Sequence, residues 1–174
     1  MACALTQGYS LANCSDGIGG IKNAFFIEKD NIDTITKVAG VITVLDNAVG
    51  KQFRKYELQR ATADFTEEGD KTPENGTVGY KQNLKIILNS NQTATRNELL
   101  LLAKNPLYIV VEDRNGKFWL MGETGYADLI KGSRKWGVQG TDRSGFELEF
   151  VAEEPEYAAE VTPLVAAALE TPGV

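Results

Sequence analysis

Between Val78 and Leu88 the chain alternates with a period of two. Val78, Tyr80, Leu84, Ile86 and Leu88 share one face, and Lys81, Asn83 and Lys85 the other. Such a run buries one face only as a strand, because a helix would scatter the same residues around its axis. Lys51–Phe65 reads the same way, with Tyr56 and Leu58 opposite Lys55, Glu57 and Gln59. The stretch Thr66–Thr77 between them is wholly polar and holds Pro73 and Asn75-Gly76. The pattern predicts a hairpin over residues 51–90 with an acidic, flexible tip. Both strands exceed the usual ~5–6 residues, so the hairpin is expected to protrude, with its polar face toward water.

The remaining punctuation extends this β-rich plan. Ala24–Glu28 and Val38–Leu45 read as strands, the second ending at Asp46-Asn47. One helix is expected at about 95–104. Thr93 or Thr95 would be its N-cap, with Glu98 in capping-box spacing, and Asn105-Pro106 would end it. Leu107–Glu112 and Lys117–Met121 form a tight hairpin about Asp113-Arg114-Asn115-Gly116, where Asn-Gly is a strong turn signal. Gly122–Gly140 is expected to hold an irregular strand. Phe146, Leu148 and Phe150 alternate with Glu147 and Glu149 in the last clear strand. The expected organisation is an arm over 1–23, a β-sandwich domain over 24–152 and an acidic, Ala-rich arm over 153–174, with a short helix around Val161–Leu169 as an alternative form of that last arm.

At 174 residues one domain can bury a core without staples. There is no histidine, which removes Ser-His-Asp and Cys-His chemistry, the commonest general base and the usual zinc patterns. Carboxylate-only hydrolysis remains formally open. Glu67, Glu68 and Asp70, however, fall in the expected tip, and Glu153, Glu154 and Glu156 in the expected arm, where acids are solvated. Gly17-Ile18-Gly19-Gly20 lacks the spacing of a phosphate loop, and Asp30, Asn31 and Asp33 lack that of a calcium loop. Trp119 reads as core and Trp136 as a subunit contact or a ligand platform. Cys3 and Cys14 could close a short loop. No cofactor or metal is expected. The longest apolar runs, Leu99–Ala103 and Leu107–Val111, are too short to span a membrane, and residues 1–14 lack the features of a signal peptide. The product is therefore expected in the cytoplasm. The net charge of −6 argues against a sequence-independent grip on nucleic acid.

Several segments, taken in order, resemble a family of tailed-bacteriophage virion proteins. They are the opening Met-Ala-Cys-Ala-Leu-Thr-Gln-Gly, Gly-Ile-Gly-Gly-Ile-Lys before an apolar strand, Lys51–Thr66, Thr95-Arg-Asn-Glu-Leu, Asp113-Arg-Asn-Gly-Lys-Phe-Trp-Leu-Met-Gly and Asp142-Arg-Ser-Gly-Phe-Glu-Leu-Glu-Phe. The resemblance covers residues 1–151 and implies a tail-tube-like fold, a β-sandwich or half-barrel with one flanking α-helix and a long protruding β-hairpin. In such proteins six copies form a ring whose pooled strands make an inner barrel, and the rings stack through loops and arms. Closing a ring would also pair long strand edges that otherwise invite aggregation.

On that reading Lys55, Glu57, Gln59, Lys81, Asn83 and Lys85 line the lumen. Glu67, Glu68, Asp70, Lys71, Pro73 and Glu74 form a loop between rings, disordered until the next ring orders it. The implied partners are copies of the chain, neighbouring tail or neck proteins and genomic DNA passing through without specific binding. The implied location is the virion after assembly in the host cytoplasm. The lumen is expected to be net negative or near neutral. A neck or tail-completion ring is the neighbouring alternative. A small-molecule-binding β-barrel of lipocalin type would instead be a monomer with an apolar cavity.

Overall fold

The computed structural model describes residues 17–72, 74, 77–139 and 142–173. Cys3, Cys14, Pro73 and the opening resemblance segment lie outside them. The described chain is mainly β, with eleven strands in two open sheets and two helices. The large sheet has the order β2 (Ile32–Val38), β3 (Val41–Asn47), β11 (Ala159–Val161), β8 (Phe118–Met121), β7 (Leu107–Asp113), β1 (Ile21–Glu28), β4 (Arg54–Glu57), and the small one β5 (Ala63–Thr72), β6 (Thr77–Leu88), β10 (Gly145–Glu154), β9 (Asp128–Lys135).

The runs with continuous apolar character form the middle of the large sheet. In β1 (Ile21–Glu28), Ala24 and Phe26 enter one core while Phe25 and Ile27 enter another on the opposite face. Strands β7 (Leu107–Asp113) and β8 (Phe118–Met121) divide likewise: Ile109, Val111 and Met121 go to the first core, Val110 and Leu120 to the second. A strand buried on both faces has no polar alternation.

The first core lies between the sheets. There the buried faces of β6 (Thr77–Leu88) and β10 (Gly145–Glu154) supply Leu84, Ile86, Phe146, Leu148 and Phe150. Helix α1 (Thr93–Leu102) adds Leu99 and Leu102. Gln92 is its N-cap residue and makes no side-chain cap bond, so neither Thr93 nor Thr95 takes that position. The β7–β8 hairpin closes with Gly116 at φ 78°, and the Asp113 N–H donates to Lys117 O.

Three expectations are corrected by this layout. Lys51–Phe65 is not one strand. Strand β4 (Arg54–Glu57) pairs with β1 in the large sheet, and β5 (Ala63–Thr72) pairs with β6 in the small one. The break is local. Ala61 takes φ 60°, and the Thr62 hydroxyl and N–H both donate to Gln59 O, turning the chain from one sheet to the other. The hairpin therefore runs from Ala63 to Leu88, and residues 66–72 are strand rather than loop.

Val38–Leu45 is likewise divided. Ala39 (φ 51°) and Gly40 (φ 82°) make the two-residue turn between β2 (Ile32–Val38) and β3 (Val41–Asn47). Two consecutive positive φ values suit the twist of a tight hairpin.

Nor is the region 153–174 a separate arm. Strand β11 (Ala159–Val161) sits inside the large sheet, parallel to β3 and antiparallel to β8. Helix α2 (Pro163–Ala168) and Leu169 then cover the second core, where Ala166 and Leu169 meet Ile42, Leu45 and Phe53. The segment is short, so its apolar residues show no periodicity, yet they fill a face that nothing else among the described residues covers. Among the described residues no helix is long and apolar enough to cross a membrane.

Candidate self-assembly face on the small sheet

The small sheet has one face in the core and the other in solvent. Register places Asp64, Thr66, Glu68 and Asp70 of β5, then Lys81, Asn83, Lys85 and Ile87 of β6, on the solvent side. Glu147, Glu149, Val151 and Glu153 of β10 follow, with Asp128, Lys131, Ser133 and Lys135 of β9 (Asp128–Lys135). One row reads Asp64, Lys85, Glu149, Lys131 across the four strands, alternating in sign at each step. Beyond the row Thr66, Asn83, Val151, Asp128, a further alternating row reads Glu68, Lys81, Glu153. Opposite charges directly across a strand pair are mildly favourable and like charges unfavourable.

The close contacts follow this order. Lys85 Nζ lies 3.7 Å from Glu149, which also accepts a hydrogen bond from Asn83 Nδ2 at 3.0 Å. Lys135 donates to Glu147, and this bond holds the Glu147 carboxyl below the usual carboxylate range. Exposed pairs of this kind each contribute little stability; together they set the pattern of the surface. Asp64, Glu68, Asp70, Asp128, Glu147, Glu149 and Glu153 stand against Lys81, Lys85, Lys131 and Lys135, seven carboxylates to four ammonium groups, or net −3.

The six expected lumen residues do not share this face. Lys81, Asn83 and Lys85 lie on it. Lys55 and Glu57 lie opposite Phe25 and Asn23 on β1, on the side of the large sheet turned away from the small one. They pair with each other at 3.4 Å. Gln59 lies in the turn between the sheets, and its Oε1 accepts from Asn89 Nδ2 at 2.6 Å.

The expected inter-ring residues are also divided. Glu68 and Asp70 are on the solvent face of β5, and Lys71 opposes Val78 at the far end of the pair. Glu74 alone of the described candidates sits in the turn. Glu67 points inward, accepting from Gln82 Nε2 at 3.2 Å and from the Ala158 N–H at 2.6 Å. Glu154 is similarly enclosed, taking the N–H groups of Thr124 and Gly125 at 2.8–3.0 Å. That approach requires a glycine, because a Cβ on Gly125 would sit 2.6 Å from Glu153 O. These two carboxylates therefore hold backbone together. An open cleft of about 490 Å³ beside Glu154 is lined by Asp70, Tyr80, Lys81 and Glu153 among others. No group of His, Cys, Asp and Glu among the described residues is placed to hold a metal.

Strand β9 was only partly visible in the sequence, because Gly132 and an inserted Ile130 interrupt its alternation. Its Lys131 supplies the basic end of the alternating row. Trp136, two-thirds exposed, lies beyond its end with the Arg134 guanidinium 3.9 Å above the ring. Trp119 is half-buried against the first core. Gly20 and Ile18 dock on the β7–β8 turn, where Asn115 bonds the N–H and the C=O of Ile18.

Comparison with protein-family models, with curated proteins and with solved structures finds no match.

Proposed function

We propose that the chain is a structural subunit that assembles into rings with copies of itself, in the manner of a phage tail tube. The observation that carries this reading is the small sheet. It has a polar solvent face ordered by charge and two strand edges, β5 and β9, each paired on one side only among the described residues. An edge of eight to ten residues is a template for another chain. The space between the sheets is filled by aromatic and aliphatic side chains, which disfavours a ligand-holding barrel. The enclosed carboxylates Glu67 and Glu154 are occupied by backbone N–H groups, which disfavours a hydrolytic centre.

On this reading the outer face of the small sheet becomes the wall of a conduit. Its net −3 repels a polyanion within a Debye length of ~8 Å, so DNA passes without being gripped. Electron microscopy and mass photometry of the purified protein test the proposal. Rings or stacked tubes are expected, and a monodisperse monomer at every concentration and salt would overturn it. Copy number in virions then separates a tube, which repeats many rings, from a neck ring, which appears once. Tight, salt-sensitive duplex binding in a gel shift would contradict the sliding wall.

A further inference from the structure

The two open edges of the small sheet carry opposite charge. On its solvent side strand β5 presents Asp64, Glu68 and Asp70 with no basic residue, whereas β9 presents Lys131 and Lys135 against Asp128 alone. On the solvent face the spacing also matches, since Asp64 and Glu68 are four residues apart, as are Lys131 and Lys135.

We infer that β9 of one copy pairs antiparallel with β5 of the next, in the register that sets Lys131 against Glu68 and Lys135 against Asp64. The inference rests on the ring reading above and specifies its joint. All four strands of the small sheet run antiparallel to their neighbours. A rotation that carries one copy beside another therefore leaves β9 antiparallel to the incoming β5, as a continuous ladder needs. The same register sets Ser133 against Thr66 on the solvent side. On the buried side it sets Arg134 against Phe65, an aromatic partner of the kind its guanidinium already has in Trp136 and Phe146. The bulge at Ile130 lies just outside the paired stretch, Lys131–Lys135 against Asp64–Glu68.

Edge charge usually prevents association. Here each edge has one dominant sign, so β5 against β5 and β9 against β9 are both repulsive and only the mixed pairing is attractive. A contact between two different edges is head-to-tail, and such contacts close into rings when the rotation permits. The alternating row Asp64, Lys85, Glu149, Lys131 would then meet another carboxylate of the next copy, so the sign alternation passes through the joint without a fault.

Charge-swapped full-length variants test the joint. Lys131→Glu/Lys135→Glu makes both edges acidic, and Asp64→Lys/Glu68→Lys makes both basic. Each variant alone should fold, by near-UV circular dichroism, yet form no rings where the parent does. An equal mixture should restore rings in alternation. Rings from either variant alone, or no recovery in the mixture, would overturn the register while leaving self-assembly standing. Failure of the parent to form rings would remove the reading beneath it as well. Independently of charge, Thr66→Cys with Ser133→Cys in a Cys3→Ser/Cys14→Ser background should give a ladder of disulfide-linked oligomers in assembled samples. Absence of that ladder in assembled rings would also overturn the register.

Discussion

Gln82 and Glu67 face each other across β5 and β6 on the buried side of the sheet, the Gln82 amide donating to the Glu67 carboxylate at 3.2 Å. The pair is a junction. Gln82 Oε1 accepts from the Gly122 N–H at 3.1 Å, and Glu67 accepts from the Ala158 N–H. Four segments distant in sequence thus meet on two polar side chains inside an otherwise apolar layer. Gln82→Leu leaves the Gly122 donor unsatisfied and Glu67 one donor short. It should cost about 1–3 kcal/mol, read as a lower urea midpoint at unchanged m-value. A midpoint equal to the parent's would show that the junction is dispensable.

The two sheets touch through Phe26 and Phe150, ring centroids 5.1 Å apart and both essentially unexposed. Phe150→Ala should lower stability by about 3–5 kcal/mol. Val151→Ala, one residue along on the solvent face, should change it by less than about 1 kcal/mol. Similar losses from both would contradict the assignment of faces.

Removal of residues 157–173 should abolish cooperative unfolding, because it strips β11 from the middle of the large sheet and uncovers Ile42, Leu45 and Phe53. A milder version is Leu169→Ala, expected to cost about 2–5 kcal/mol. A truncated chain with the parent's thermal transition would return this segment to the status of an arm.

Burial, with the Glu98 charge adding to it, pushes the Tyr56 hydroxyl up to about 12. A folded-state value above the unfolded one stabilises the fold with the phenol neutral. That contribution is complete below the ordinary ~10 and is lost as pH rises through about 12. The difference in tyrosinate absorbance between parent and Tyr56→Phe should show a step centred near 12. A step near the ordinary tyrosine value would show that Tyr56 is solvated.

Alternation made β6 and β10 legible, and Asn115-Gly116 made the β7–β8 hairpin legible, because each signal is local and acts on its own neighbours. What escaped was decided by tertiary contact. Residues 51–65 continue one alternating pattern across Ala61, whose positive φ no side chain announces, so the pattern hides the transfer from one sheet to the other and makes six polar residues look like one face. The polar run 66–72 has the composition of a loop, yet β6 offers it a full ladder of partners. Strand β11 is three residues long, too short for any periodicity, and its place follows only from the unfilled gap between β3 and β8.

That gap orders events in time. Among the described residues the β2–β3 hairpin has no neighbour in the large sheet except β11, and β11 comes more than a hundred residues after it in the chain. Until Val161 has been synthesised and freed, the hairpin has nowhere to dock and the second core stays open on one side. Sheet completion is therefore a long-range and slow step, and an emerging polypeptide would carry exposed Ile42 and Leu45 throughout it. A nascent chain in this condition is a natural client for a chaperone.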